Sequence, residues 1–375
     1  MKTPALLLLA LSLSNGLALA SAADPIKVGE FACLTGKDAT FGQSQHKGIL
    51  LALEEINAGG GVLGRPLEVI SEDNQSKSGE SATVAKKLLS RDKVVAILGE
   101  VTSGRSLEVA PLAQGAKIPM IATGATNAKV TQTGNYVFRV CFIDDFQGVV
   151  MAKFAKEDLK AMKVATLTSV SSPYSVGLAK VFKETFVAVG GTVVAEQKFN
   201  EGDKDFRAQL TAIKASGAEA VFVPGYYQEA ALVARQARSL GLTMPLFGGD
   251  GWESEQLLKI GGDALNGTFY STHFTPENKD AAVVEFVKKF KARWDNETPD
   301  AYAALGYDAL KVLANAIKRA GTTEGPKLRE VIAATKDFSG ASGVTTLDKD
   351  RNASKPATII AVKDGKLVFH KTVAP

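Results

Sequence analysis

Residues 26–61 have the sequence IKVGEFACLTGKDATFGQSQHKGILLALEEINAGGG, which joins one strand to one helix. The run 26–31 predicts a strand, and the run 42–56 predicts a helix. The apolar side chains on one face of that helix are Ile49, Leu50, Leu53 and Ile56. Three glycines at 59–61 end the helix, since Gly is common just after a helix C-terminus. The stretch is therefore the first half of a strand-helix-strand unit.

The same order of strand, loop and helix occurs in two copies along the chain. The first copy continues with strands at 67–70, 94–98 and 120–121 and helices at 78–90 and 106–115. The second copy has strands at 163–167, 192–194, 220–223 and 246–247 and helices at 175–189, 206–216 and 228–240. Further helices are predicted at 281–294, 301–320 and 325–334, and a hairpin around Asp364-Gly365. This alternation predicts an α/β fold of two similar lobes, each a parallel sheet flanked by helices.

The N-terminal segment, residues 1–23, has the pattern of a secretory signal peptide. Lys2 precedes an apolar run at 5–13, and small residues fill positions 18–23, except for Leu19. We therefore expect export to a periplasmic compartment. Because no Cys lies at the cleavage region, a lipid anchor is not expected. Cys33 and Cys141 can pair in an oxidising compartment, and the sequence leaves that pairing open.

The charge pattern and the histidines argue against several classes of function. The net charge is +4 and the basic residues are dispersed, so nucleic acid is not an expected partner. The three histidines, at 46, 273 and 370, show no metal-ligand spacing, and no nucleophile motif is present. We therefore expect no metal, no cofactor and no enzymatic activity.

Two facing lobes create a cleft, and ligands of open α/β sheets bind outside the carboxyl ends of the strands. The loops after the predicted strands are therefore the candidate site. They lie at 35–41, 99–105 and 122–126 in the first lobe and at 169–174, 224–227 and 248–252 in the second.

The first-lobe loops predict a site for an anion such as a carboxylate. Ser103 adds a hydroxyl donor close to a helix N-terminus, where free N–H groups attract anions. In the loop that contains Gly124, Ala125 and Thr126, the glycine lets a ligand approach the backbone and the threonine can donate or accept. A plain helix cap is the simpler alternative for both loops. The stretch 99–106 also approaches a phosphate-binding motif, but Arg105 replaces its lysine, so nucleotide binding is rejected.

The second-lobe loops predict a complementary site for a cation. Asp250, flanked by glycines, can pair with an ammonium group, although a turn aspartate that bonds its own backbone is the alternative. Tyr174 and Tyr226 offer an apolar ring with a polar end, and ordinary packing is the alternative for each. Phe41 and Trp252 are expected to line the pocket for the ligand's side chain.

These residues resemble a known family, the type I periplasmic binding proteins of ABC importers, in the leucine/isoleucine/valine-binding branch. The resemblance covers nearly the whole chain after the signal segment, and ALEEINAGGGVLG at 52–64 is its most specific part. Its other parts are Leu34-Thr35-Gly36, Glu72-Asp73, Phe138-Arg139 with Asp144, Tyr174 with Gly177, Gly225-Tyr226 and Gly248 to Gly251.

The resemblance implies a role for each site position. Ser103 and Thr126 match the α-carboxylate site, while Gly124 O, the Thr126 hydroxyl and Asp250 match the α-ammonium site. Tyr174 and Tyr226 match groups that close over the ligand, and Phe41 matches an aromatic residue above it. One departure is that leucine-type members have Glu where this chain has Asp250, which leaves the identity of the ligand open.

The resemblance also implies a three-segment hinge and a transport function. Crossovers are expected near Asp144, His273 and Thr345, giving a first lobe of 24–143 plus 274–345 and a second of 144–273 plus 346–375. The implied protein is a monomeric periplasmic receptor that closes on an aliphatic amino acid and delivers it to a membrane permease. An aromatic carboxylate, an amide or urea as ligand, and a sensory module instead of a transport protein, remain the alternatives.

Overall fold

The first part of the chain builds a sheet and the helices that cover it. The computed structural model describes residues 24–375, so the predicted signal peptide, 1–23, lies outside the described residues. The strands are β1 (Ile26–Ala32), β2 (Leu67–Asp73), β3 (Ile97–Leu98), β4 (Met120–Ala122) and β5 (Val137–Arg139). The helices are α1 (Ala39–Ala58), α2 (Glu80–Lys87), α3 (Ser103–Ala116) and α4 (Lys129–Gln132), and a π-helical turn, Leu88–Asp92, extends α2.

The middle of the chain repeats this plan in a second lobe. Its strands are β6 (Lys163–Ser169), β7 (Thr192–Phe199), β8 (Ala220–Phe222), β9 (Leu246–Gly248) and β10 (Phe269–Thr272). Its helices are α5 (Asp144–Glu157), α6 (Pro173–Ala188), α7 (Arg207–Ala215), α8 (Tyr227–Ser239) and α9 (Glu255–Gly261). Short 3-10 turns follow β9, at Asp250–Trp252, and α9, at Gly262–Leu265.

The remaining residues return to the first lobe and then finish the second sheet. The helices are α10 (Ala281–Arg293), α11 (Ala301–Ala320) and α12 (Gly325–Ala333). The strands are β11 (Phe338–Gly340), β12 (Gly343–Leu347), β13 (Ala353–Ser354), β14 (Ala357–Lys363) and β15 (Lys366–Val373). The predicted hairpin is confirmed, because Asp364 and Gly365 join β14 to β15 with φ of 50° and 70°, the two positive values that a tight hairpin turn needs.

The sheets confirm the predicted class of two parallel α/β lobes. The first sheet has the order β2-β1-β3-β4-β5 and is parallel throughout. The second has the order β15-β14-β10-β9-β8-β6-β7, in which β14 and β15 run antiparallel to their neighbours. A small antiparallel sheet, β11-β12-β13, lies beside them. The carboxyl ends of β1 and β4 face those of β8 and β6, since Lys37 O accepts from Tyr227 Oη and Pro173 O accepts from Asn127 Nδ2.

Three segments join the lobes, one after β5, one after β10 and one before β14. The predicted boundaries 143/144 and 273/274 fall between elements of different lobes, after β5 and after β10. The third expected boundary, 345/346, lies within β12. Arg351 Nε donates to Val137 O over 3.2 Å, and Thr131 Oγ1 donates to Asn352 Oδ1 over 2.9 Å, so this part still belongs to the first lobe. The chain enters the second sheet only at Ala357.

Neither cysteine is in a disulfide. Cys33 and Cys141 are both buried free thiols, and burial raises the pKa of each. Cys33 Sγ donates to Asp38 O over 3.1 Å and Cys141 Sγ to Ala125 O over 3.6 Å.

Among residues 24–375, no helix is long and apolar enough to cross a membrane.

Two glycines allow α1 and α11 to pack closely in the first lobe. A Cβ added to Gly48 would lie 1.9 Å from Ala303 O, and one added to Gly306 would lie 2.4 Å from Gln45 O. Backbone therefore meets backbone at this crossing, and neither side can yield as a flexible side chain does. This contact fixes α11, whose first turn carries Tyr302 toward the cleft.

We predict that Gly48→Ala lowers the unfolding free energy by about 1–3 kcal/mol, because the added methyl group forces the two helices apart. Gly115→Ala is the matched control, because Gly115 is exposed in α3 with open space around it. The control is expected to be neutral or to stabilise by up to about 1 kcal/mol. Thermal unfolding of both variants tests this, and equal midpoints would contradict it.

Candidate ligand-binding cleft

The two lobes are closed on one another in this structure. Phe41, at the start of α1, lies edge-on to Tyr226 and Tyr227 of the second lobe, with ring centroids 5.7 and 5.1 Å apart. Lys37 adds polar contacts, since its carbonyl accepts from Tyr227 Oη over 2.8 Å and its Nζ lies 2.8 Å from Glu201 Oε2. The residues between the lobes are therefore shielded from solvent.

Ser103 and the loop 124–126 form the first-lobe wall of the cleft. Ser103 is the first residue of α3 and is 1% exposed; its Oγ accepts from Asn127 N over 3.2 Å. Gly124, Ala125 and Thr126, after β4, are buried. A Cβ on Gly124 would lie 2.9 Å from the Tyr302 ring, so the loop needs a glycine there. This wall brings together a hydroxyl, a helix N-terminus and a second hydroxyl, a set of donors that suits a carboxylate.

A buried arginine fixes the shape of this loop. Arg139, at the end of β5, is fully buried. Its Nη1 donates to Ala125 O over 2.5 Å and its Nη2 to Asn127 O over 2.8 Å. The guanidinium is thus used to hold the loop backbone.

Arg105, which replaces the lysine of a phosphate-binding motif in the sequence, makes its polar contacts within the first lobe. Its Nη2 lies 2.9 Å from Asp38 Oδ2 and donates to Ser76 O over 2.7 Å, and its Nη1 donates to Thr102 Oγ1 over 2.9 Å. Glu100 completes this buried polar cluster, and burial raises the pKa of its carboxyl to about 7. The cluster stabilises the loop that precedes Ser103.

Asp250 lies on the second-lobe wall, in the turn after β9, and is 3% exposed. Gln147 Nε2 donates to its Oδ1 over 2.9 Å, and His273 Nε2 lies 3.1 Å from its Oδ2. Tyr302 Oη, from the first lobe, donates to the Asp250 backbone carbonyl over 2.8 Å. Burial lowers the pKa of His273, so the imidazole is neutral at physiological pH. The partners of this carboxylate within the described chain are therefore neutral donors.

A second buried carboxyl group, Asp144, lies close to Asp250. It is the first residue of α5, and neither of its carboxyl oxygens has a hydrogen-bond partner among residues 24–375. Burial first, and then the negative charge of Asp250, raise the pKa of Asp144 well above its usual range. Thr126 and Arg139 oppose this rise only in part. The cleft thus collects acidic groups at one end.

The tyrosines predicted from the second-lobe loops lie next to Asp250. Tyr174 and Tyr226 stack with centroids 5.4 Å apart and planes 11° from parallel. Tyr174 Oη accepts from Gly251 N over 3.2 Å. A Cβ on Gly249 would lie 2.4 Å from that hydroxyl, so the ring closes directly over the Asp250 turn.

The two aromatic residues predicted to line the pocket have different surroundings. Phe41 is fully buried and meets Tyr226, Tyr227 and Tyr302 between the lobes. Trp252 packs inside the second lobe, where its Nε1 donates to Val223 O over 3.0 Å and its ring lies 6.4 Å from that of Tyr270. Its part in the side-chain pocket stays a prediction.

Sequence reasoning missed four residues of this site as functional candidates. They are Asp144, Gln147, His273 and Tyr302. The sequence indicates Asp144 only as part of the family pattern and as a crossover position, and His273 only as a crossover position and as a histidine without metal-ligand spacing. Gln147 and Tyr302 lie in helices, and their spacing from Asp250 along the chain gives no signal of contact.

Comparisons with known proteins agree with this geometry. A model of the periplasmic binding protein family matches residues 25–366. The "Leu/Ile/Val-binding protein homolog 3" of Brucella melitensis is 31% identical, over 94% of this chain and 95% of the relative.

Two solved structures are similar over nearly their whole length. A leucine-binding protein, LivK, from Thermotoga maritima is 39% identical with a TM-score of 0.90, covering 93% of this chain and 99% of that one. The branched-chain amino acid transporter substrate-binding protein LivJ from Streptococcus pneumoniae, in complex with isoleucine, is 35% identical with a TM-score of 0.88. That match covers 94% of this chain and all of the other. The resemblance seen in the sequence is thereby confirmed.

We predict that Asp144→Asn stabilises the ligand-free protein at pH 8 and has little effect at pH 4. A folded-state pKa raised above the unfolded value gives stability that is present at low pH and is lost as pH rises through the folded value. Asparagine cannot ionise, so the Asp144→Asn variant does not lose this stability as the pH rises. Thermal unfolding at both pH values measures it, with Asp145→Asn, exposed in the same helical turn, as the control. A pH-independent effect would contradict the prediction.

Proposed function

Because the chain belongs to the periplasmic binding protein family, we propose that it is a receptor that closes on an amino acid with an aliphatic, branched side chain. The observation that carries the proposal is that the two lobes bring complementary groups to the closed cleft. The second lobe supplies the buried Asp250, held by neutral donors, and the first lobe supplies the buried hydroxyls of Ser103 and Thr126. An α-amino acid carries an ammonium group and a carboxylate on one carbon, so it suits both walls at once.

The ligand's ammonium group is assigned to Asp250, Gly124 O and the Thr126 hydroxyl. A buried carboxylate without a cation is costly, and an ammonium group that binds it in the closed cleft removes much of that cost. The α-carboxylate is assigned to the Ser103 hydroxyl, to Thr126 and to the free N–H groups at the start of α3.

The aromatic groups are assigned to closure and to the ligand's side chain. Tyr174 and Tyr226 belong to the second lobe and Phe41 to the first, so a ligand meets all three only when the lobes are closed. A ligand that contacts both lobes binds the closed state more tightly and shifts the population toward it. Hinge closure of this kind is a known behaviour of periplasmic binding proteins.

In the cell, the closed form would deliver its amino acid to an ABC permease in the inner membrane. The family and the relatives' names support this role, since both describe binding proteins and one relative is the substrate-binding protein of a transporter. The proposal includes a periplasmic location after removal of residues 1–23, action as a monomer, and no catalytic step.

We expect calorimetry on ligand-free protein to show binding of leucine, isoleucine or valine with one site per chain. Benzoate, a simple amide and urea are the comparison ligands, because none of them brings an ammonium group to Asp250. Binding of one of these in place of every amino acid would overturn the proposal. Their weaker binding beside a tight amino acid would support it.

We predict that Asp250→Ala weakens amino-acid binding by about two to three and a half orders of magnitude. Removing one partner of a buried charge pair costs about 3–5 kcal/mol, and 1.4 kcal/mol is a factor of ten. Asp263→Ala, an exposed aspartate of the same lobe, is the control and should leave the dissociation constant unchanged. Unchanged affinity in the Asp250 variant would remove this residue from the ammonium site.

A further inference from the structure

His273 contacts the carboxylate of Asp250 from the segment that joins the lobes after β10. Its side chain is fully buried, and Nε2 lies 3.1 Å from Asp250 Oδ2. The ring also stacks on Phe142, with centroids 3.7 Å apart and planes 37° from parallel. Phe142 lies in the segment that joins the lobes after β5, so this stack connects two of the three hinge segments.

The contacts define which imidazole nitrogen carries the proton. Nε2 faces a carboxylate oxygen, which only accepts, so Nε2 must be the donor. Nδ1 has no hydrogen-bond partner among the described residues, as expected of the unprotonated nitrogen of a neutral ring. Burial lowers the pKa of His273, and the nearby Lys355 acts in the same direction, while Asp250 opposes them.

The charged group from the third hinge segment does not cancel the charge of Asp250. Lys355 is buried, and its Nζ donates to Ser342 Oγ and lies 3.7 Å from Asp308 Oδ2. The carboxylate of Asp308 also accepts from Ala341 N over 2.6 Å and from Ser342 N over 2.9 Å. The lysine is therefore occupied with Asp308.

A neutral hydrogen-bond donor at position 273 can orient the Asp250 carboxylate without cancelling the negative charge that a cation site needs. The turn that carries Asp250 is flanked by Gly249 and Gly251, so side-chain contacts must fix the direction of its carboxylate. Gln147 fixes Oδ1, and His273 fixes Oδ2. Lysine or arginine there would also fix it but would neutralise the charge that an ammonium group needs.

We propose that His273 is a positioning residue that aims the Asp250 carboxylate at the ligand's ammonium group and so contributes to selectivity for ligands that carry one. The proposal rests on the proposed function, because it assigns Asp250 the same ligand group. His273 acts through Asp250, and its contact with Phe142 links the orientation of that carboxylate to the hinge segments.

The experiment compares two amide replacements of different length. His273→Gln places an amide N–H near the position of Nε2, so it keeps a neutral donor to Asp250. In His273→Asn the shorter amide reaches only to about the position of the imidazole Nδ1, which has no partner. This variant therefore has no donor to Asp250. Calorimetry with L-leucine on full-length mature protein should give an Asn variant about 10- to 100-fold weaker than wild type. The Gln variant should lie within about threefold of wild type.

Two further measurements separate positioning from a general structural effect. For 4-methyl-2-oxopentanoate, which lacks the ammonium group, the Asn and Gln variants should stabilise equally in a thermal-shift titration at millimolar ligand. In an Asp250→Asn background, the same titration with L-leucine should also show no difference between them.

Each outcome decides between the explanations. Equal affinities of the two variants for L-leucine would overturn the proposal, as would an Asn defect that persists for the oxo acid or in the Asp250→Asn background. If wild-type protein binds the oxo acid but no amino acid, the proposed function fails together with this role. If wild type binds leucine and the variants do not differ, only the role of His273 fails.

Discussion

The hydrogen bonds from Gln147 and His273 to the buried carboxylate of Asp250 are the interactions on which the cleft depends. A carboxylate out of water is costly, and closure of the cleft excludes the water that would otherwise solvate it. Among residues 24–375, neutral donors bond both oxygens of this carboxylate, and no cation pairs with its charge. The protein can therefore fold with this carboxylate buried, and the site still favours binding of a cation from solvent.

The rest of the structure can be understood from this constraint. Gln147 lies on α5 and His273 after β10, so both donors lie next to segments that join the lobes. Tyr302, at the start of α11, bonds the Asp250 backbone from the opposite lobe, and the close crossing at Gly48 and Gly306 sets the position of that helix. Closure therefore assembles the site, since first-lobe and second-lobe groups complete it only together. The contacts of Lys37 with Tyr227 and Glu201 also join the two lobes.

Much of this could be predicted from the sequence because the fold follows a simple repeated pattern. Strand, loop and helix alternate twice, and glycines mark the helix ends, so the two lobes and most loops of the cleft follow directly. Asp364-Gly365 similarly predicts a hairpin from local chemistry. Helix α5 was missed, although its Asp144-Asp145 start and its apolar positions at 150, 151 and 154 gave a usable signal. The bonds of β13 and Arg351 to first-lobe residues are contacts that no local pattern indicates, so the position of the third crossover depends on packing.

The chemistry of the site was harder to predict than its position. Asp250 was found because glycines flank it at a strand end, but its partners come from 103 residues before it and 23 after it. A histidine without a neighbouring ligand in sequence gives no signal of its role, and neither does a glutamine on a helix. Long-range contacts of this kind depend on the packing of whole lobes.

A crystal structure of the protein grown with L-leucine tests the central claim most directly. The account predicts the ligand's ammonium nitrogen within about 3 Å of both an Asp250 carboxylate oxygen and the Thr126 hydroxyl. It also predicts the ligand's carboxylate beside Ser103, with Gln147 and His273 still bonded to Asp250. A ligand whose nitrogen lies away from Asp250, or a cleft that excludes leucine, would contradict it.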